Sequence, residues 1–168
     1  MLVKTAKAVG VDLLVWSGLE SVTKISGGKY TLADHFDSKA EVTEFARNSG
    51  VPFVNVQAGF YANNFALGFK PVKQADGSYV VTVPFNRDAP VPVIDAVHDF
   101  GLFVREAIES PAFGAGTEIF TYGELISFND AISQLAESMW TVFRFSVLDL
   151  TDTRHSHWEE NQLRSNHF

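Results

Sequence analysis

The segment from Asp34 to Val56, DHFDSKAEVTEFARNSGVPFVNV, decides the fold. Asp34 or Asp37 can cap a helix running to about Asn48, and Ser49-Gly50 closes it. Val42, Phe45 and Ala46 recur at helical spacing as an inner stripe, with Glu41, Glu44 and Arg47 outside. Val51-Pro52-Phe53-Val54-Asn55-Val56 follows as a nearly continuous apolar run, the pattern of a strand buried on both faces. Upstream, Val11-Asp12-Leu13-Leu14-Val15-Trp16 reads the same way and ends at Ser17-Gly18. Strand, helix and strand in that order predict a right-handed βαβ crossover, hence a doubly wound α/β sheet.

The flanks extend this frame. Leu2 to Val9 reads as a helix with Lys4 and Lys7 near its end and Gly10 as its stop. It has no N-cap, which predicts that the chain starts partway through a fold. Lys70 to Gln74 and Ser78 to Val83 flank Asp76-Gly77, a hairpin pattern with a type I′ turn. Asp95 can cap a helix through Ser110, with Val97, Phe100, Val104 and Ile108 inside, and Glu118 to Tyr122 reads as a strand. Ser127-Phe128-Asn129-Asp130 has the form of a capping box, followed by Ile132, Leu135, Ala136 and Met139 at helical spacing. Thr141 to Leu150 is rich in strand formers. The polar stretch 151–168 reads as a tail, leaving 1–150 as the folded region.

Twenty acidic against 13 basic residues give a net charge of −7, and no basic cluster could track a phosphate backbone, which argues against direct nucleic-acid binding. Without cysteine the chain has no disulfide, thiolate nucleophile or thiolate metal ligand. It contains no apolar run of the roughly 18 to 20 residues that span a bilayer. Its first residues lack a signal-peptide core, which predicts a cytoplasmic or nuclear address.

His35 and Lys39 stand one helical turn apart, so their side chains share a face. A lysine ammonium there can hold ribose hydroxyls and stabilise charge developing on a substrate oxygen, and a histidine can position or protonate that oxygen. Ser17, at the carboxyl end of the first strand, adds a third polar group. The pattern suits reductase chemistry, although an exposed pair on a solvated helix is the commoner origin of H-x-x-x-K. Gly59-Phe60-Tyr61-Ala62-Asn63-Asn64-Phe65 follows the second strand, where open α/β sheets bind ligands. Phe60, Phe65, Phe69 and Phe85 are candidates for an apolar pocket. His155 and His157 fall short of a metal-ligand set, and Asp95 and Asp99 read as helix-start residues.

Four blocks together resemble the NmrA-like proteins, atypical short-chain dehydrogenase/reductases with a Rossmann domain: Leu14-Val15-Trp16-Ser17-Gly18-Leu19, Lys24 to Tyr30, His35 to Val42, and Gly59 to Phe65. The resemblance covers roughly residues 2 to 145 and implies a partial Rossmann-like parallel sheet with a smaller α+β substrate-side region. It further implies binding of NADP, or NAD. Lys39 would contact the nicotinamide ribose, and Tyr61, Ala62, Asn63 and Asn64 would line the nicotinamide end. His35 stands where typical short-chain reductases carry the catalytic Tyr. The chain departs from the family in having no G-x-x-G-x-x-G turn, with Gln57-Ala58 in place of Arg-Pro and Asn63 in place of an acidic residue.

The function expected from the resemblance is an NAD(P)(H)-dependent oxidoreductase of the kind used in fungal secondary metabolism, acting on a small carbonyl or imine. The alternatives are a non-catalytic NADP sensor that reports to a regulatory protein partner, and a shortened product that holds no cofactor.

Overall fold

The computed structural model describes residues 2–69, 71–139 and 143–147. They form two compact units, one of residues 2–64 with Val91–Ile126 and one of the described residues within Phe65–Pro90 and 127–147.

The first unit is built on a parallel sheet, β1 (Leu14–Trp16), β2 (Phe53–Ala58) and β7 (Glu118–Thr121), in the order β1-β2-β7. Leu14 pairs with Phe53, and Asn55 with Glu118. Helices cover both faces. Phe53 turns toward α1 (Leu2–Val9) and α3 (Asp34–Ser49), packing with Val3, Ala46 and Val51. Val54, Val56 and Ile119 turn the other way, against Ala107 of α5 (Phe100–Glu109). The doubly wound α/β expectation therefore holds, and β2 is the buried central strand. β1 is not buried on both faces as predicted. Its three residues are half-buried, and among the described residues β2 alone pairs with it.

The helices differ from expectation in their caps and faces. Ala33 is the N-cap of α3 and makes no side-chain cap bond, while Asp37 reaches instead to the short helix α2 (Val22–Ile25). α3 buries Thr43 and Ala46, the small residues that allow close approach, and leaves Phe45 47% exposed. Lys4 lies over the Phe45 ring at 5.8 Å. Gly50 ends the helix at a φ of 79°, the left-handed conformation expected of a helix stop. α5 begins at Phe100, after Asp99, because Asp95 closes a separate turn with the amides of Val97 and His98. Val97 and Ile108 consequently lie outside, and Phe100, Phe103 and Val104 face the sheet.

β3 (Phe60–Tyr61), β6 (Pro90–Ile94) and β8 (Glu124–Ser127) make a second small sheet in the order β3-β6-β8. None of the three was predicted by pattern.

In the second unit β4 (Val72–Lys73) and β5 (Tyr79–Val83) form the predicted hairpin, and β9 (Phe143–Val147) pairs parallel to β5. The connection is longer than a two-residue type I′ turn. Gly77 N donates to Gln74 O, Gln74 N donates to Ser78 O, and Gly77 takes a φ of 84°, giving a three-residue loop with a left-handed glycine. α6 (Phe128–Met139) starts at the predicted cap, where Ser127 Oγ accepts the Asp130 amide at 3.0 Å and donates to the Asp130 carboxylate at 2.6 Å. The stretch 151–168, with His155 and His157, lies outside the described residues. Among the described residues no helix is long and apolar enough to cross a membrane.

Candidate functional site

Ser17, His35, Lys39, Tyr61 and Asn64 lie around one cleft of about 460 Å³ in the first unit. Parallel packing explains the meeting: β1 and β2 run in one direction, so the segments leaving both emerge at the same edge. Ser17 follows β1, and Ala58 to Tyr61 follow β2. α3 brings His35, Phe36 and Lys39 to the opposite wall. Leu19, Phe36, Phe60 and Pro92 make the remainder of the lining apolar. Ala62 and Asn63, also predicted as cofactor-binding, are not among the lining residues. α4 (Asn64–Leu67) starts at this rim and brings Asn64 to it.

Among the described residues, Ser17 Oγ, the His35 ring nitrogens, Lys39 Nζ, the Tyr61 hydroxyl and the Asn64 carboxamide form no hydrogen bond or ion pair within the protein. The cleft thus presents donors and acceptors that are not committed to neighbours, beside flat apolar walls. Among the described residues that line it there is no carboxylate. That combination suits a ligand with a planar ring and several hydroxyl or anionic oxygens. His35 also packs its ring on Phe36, with centroids 4.6 Å apart.

The four phenylalanines that were candidates for an apolar pocket are divided between the two units. Phe60 lines this cleft, whereas Phe65, Phe69 and Phe85 gather on Phe128 in the second unit at centroid distances of 4.8, 5.1 and 4.6 Å. Phe128 is fully buried, and a buried ring is a natural anchor for such a cluster.

One close approach shapes the cleft. Gly59, between β2 and β3, leaves no room for a Cβ, which would lie 2.3 Å from Pro92 O and 2.9 Å from Thr121 O. Asp37, on the helix face turned away from the cleft, accepts from Ser21 Oγ at 2.7 Å, Thr23 Oγ1 at 2.6 Å and the Thr23 amide at 3.2 Å. Sequence reading gave no role to the buried Asn55 and Gln57 or to the half-buried Glu118. Two polar residues in an apolar strand were the available signal. Among the described residues no group of three or more His, Asp or Glu could hold a metal ion.

The sequence profile of the NmrA-like family matches residues 1–142. The nitrogen metabolite repression protein nmr of Neurospora crassa is 30% identical over 96 residues, which are 54% of this chain and 20% of that protein. A crystal structure of NmrA, a negative transcriptional regulator, in complex with NAD matches with a TM-score of 0.74 and 23% identity, over 88% of this chain and 47% of that one. The NADP complex of NmrA matches with a TM-score of 0.73 and 24% identity, over 86% of this chain and 46% of that one. The chain thus spans about a fifth of the curated relative and about half of the solved ones. With the family profile matched over most of its length, and with the parallel sheet and helices that such structures share, the chain belongs to the NmrA-like family.

Proposed function

We propose that the cleft takes the nicotinamide end of NADP or NAD, and that the chain serves as an oxidoreductase of the NmrA-like type on a small carbonyl or imine. The observation that carries this reading is the convergence of Ser17, His35, Lys39, Tyr61 and Asn64, uncommitted to other protein groups, on one aromatic-walled cleft. The NAD and NADP complexes of NmrA support it. Lys39 would hold ribose hydroxyls, Ser17 and Asn64 would orient the ligand, and His35 would give a proton to the substrate oxygen. A bound nicotinamide supplies the hydride chemistry. The residues present fit the ring and ribose. With no G-x-x-G-x-x-G turn in this sequence, the pyrophosphate gains no helix N-terminal cradle from it, and affinity is correspondingly modest.

Titration with NADPH and NADH, followed by calorimetry or by energy transfer from Trp16, tests the reading. The expected result is saturable binding weakened by Lys39→Ala. Absence of binding at about millimolar dinucleotide overturns it. A second reading, a redox sensor acting through a protein partner, draws on the description of NmrA as a negative transcriptional regulator. A panel of carbonyl substrates separates the two. Turnover lost in His35→Ala and Lys39→Ala belongs to an oxidoreductase, and binding without turnover belongs to a sensor. A cytoplasmic or nuclear address goes with either.

A further inference from the structure

β2 sits between β1 and β7, so polar side chains buried on this strand must find partners inside the protein. Asn55 is 1% exposed and has two. Its Oδ1 accepts the Gly18 amide at 3.0 Å, and its Nδ2 donates to Glu118 Oε2 at 2.8 Å. Chemistry fixes the orientation of this carboxamide. Flipped, its NH2 would face an N–H and its oxygen would face a carboxylate. Glu118 Oε2 also accepts Gln57 Nε2 at 3.0 Å, and the other Glu118 oxygen pairs with Arg47 in the last turn of α3. Gly18 sits directly on this network: a Cβ there would lie 2.2 Å from Asn55 Oδ1 and 2.8 Å from Thr43 Oγ1.

We propose that Asn55, oriented by Glu118, is a positioning residue for the candidate cleft. It holds the turn at Ser17-Gly18 and with it one wall of the cleft. Arg47 ties α3, which carries His35 and Lys39 on the other wall, to the same carboxylate. One carboxylate therefore registers both walls against the central strand. The ligand assigned to the cleft rests on the nicotinamide reading, whereas the placement of the Ser17-Gly18 turn does not.

Asn55→Asp keeps an acceptor for the Gly18 amide but sets two carboxylates against each other. Adding Glu118→Gln restores the bond between positions 55 and 118 with donor and acceptor exchanged, while Gln57 Nε2, which shared Glu118 Oε2, keeps Glu20 Oε1 as its acceptor. Asn55→Val suits a buried strand and cannot accept a hydrogen bond, so it serves if the charge pair prevents folding. The first readout is NMR on the ligand-free full chain: hydrogen exchange at the Gly18 amide and the chemical shift of the Ser17 amide. Exchange at Gly18 should rise about tenfold in either single variant while β5 amides stay protected, and the double variant should return to within about threefold of the parent. Unchanged exchange at Gly18 in every folded single variant overturns the proposal.

The second readout is NADPH affinity, expected to fall about tenfold in either single variant and to recover when Glu118→Gln is added to Asn55→Asp. Unaltered affinity beside a loosened Gly18 overturns the link to the cleft. If the parent binds no NADPH while Gly18 and Ser17 respond as expected, the nicotinamide reading fails and the positioning role stands.

Discussion

Asp37 accepts a hydrogen bond from the Ser21 hydroxyl at 2.7 Å, and Ser21 Oγ in turn accepts the Lys24 amide at 3.2 Å. The N-cap of α2 is thereby fastened to α3, two residues from Lys39 and on the other side of the helix from the cleft. Hydrogen bonds from the Thr23 and Ser21 side chains hold the Asp37 carboxyl below its ordinary value of 3.8. A carboxyl depressed in the folded state contributes stability above its unfolded pKa, and that contribution is lost as pH falls through the folded value. Asp37→Asn should lower stability at neutral pH and flatten its decline in acid. Thermal melts from about pH 2 to pH 6 on both proteins check this, and parallel curves would reject it.

His98 carries the opposite sign. Its Nδ1 lies 2.7 Å from Asp95 Oδ2, and that bond, followed by the charge of Asp95, raises the imidazole above 6.5. The pair's contribution is complete below the unfolded pKa and disappears as pH rises through the folded one. An NMR titration should place the His98 midpoint above 6.5, and Asp95→Asn should bring it down.

Gly59→Ala places a methyl group against two backbone oxygens, neither of which can swing away as a side-chain tip would. The expected cost is about 1–3 kcal/mol, with disturbed amide shifts at Phe60 and Tyr61. Urea unfolding monitored by far-UV circular dichroism measures the first, and NMR the second. A methyl group at Gly101 would meet nothing within 4 Å, which makes it the contrasting glycine, where alanine should stabilise the helix or leave it unchanged.

Phe128→Ala removes the ring on which Phe65, Phe69 and Phe85 converge. A loss of about 3–5 kcal/mol is expected, felt first in the second unit. Hydrogen exchange resolved by segment should show β5 amides opening before those of β2. Simultaneous opening of both strands would contradict that order.

The sheet was legible where the chain is locally decisive. β2 reads as a buried strand because its apolar run is nearly unbroken, and it is one. β1 has the same composition but, among the described residues, pairs with β2 alone, since a strand's neighbours depend on which other segments pair with it. Asp37 has the chemistry of a helix cap, yet its partners are Ser21 and Thr23, 16 and 14 residues away, and no local pattern signals them. β6 contains Pro90 and Pro92, which hide a strand from pattern reading, but both can sit where the ladder needs no N–H. Five predicted site residues meet at the cleft because they flank strand ends and a helix start. Asn55 and Glu118 escaped notice because their importance lies in a contact 63 residues apart.

That separation has a kinetic consequence. Parallel strands cannot be joined by tight turns, and here Gly18 meets Asn55 across 37 residues before Asn55 meets Glu118 across 63. Each contact is rewarded only after the entropy of closing a long loop has been met, a cost that slows folding far more than it lowers final stability. The helices and the β4–β5 hairpin rest on neighbouring residues and can form quickly. The cleft depends on both of these long closures, so it is expected to take shape with the parallel sheet and after the helices and the hairpin.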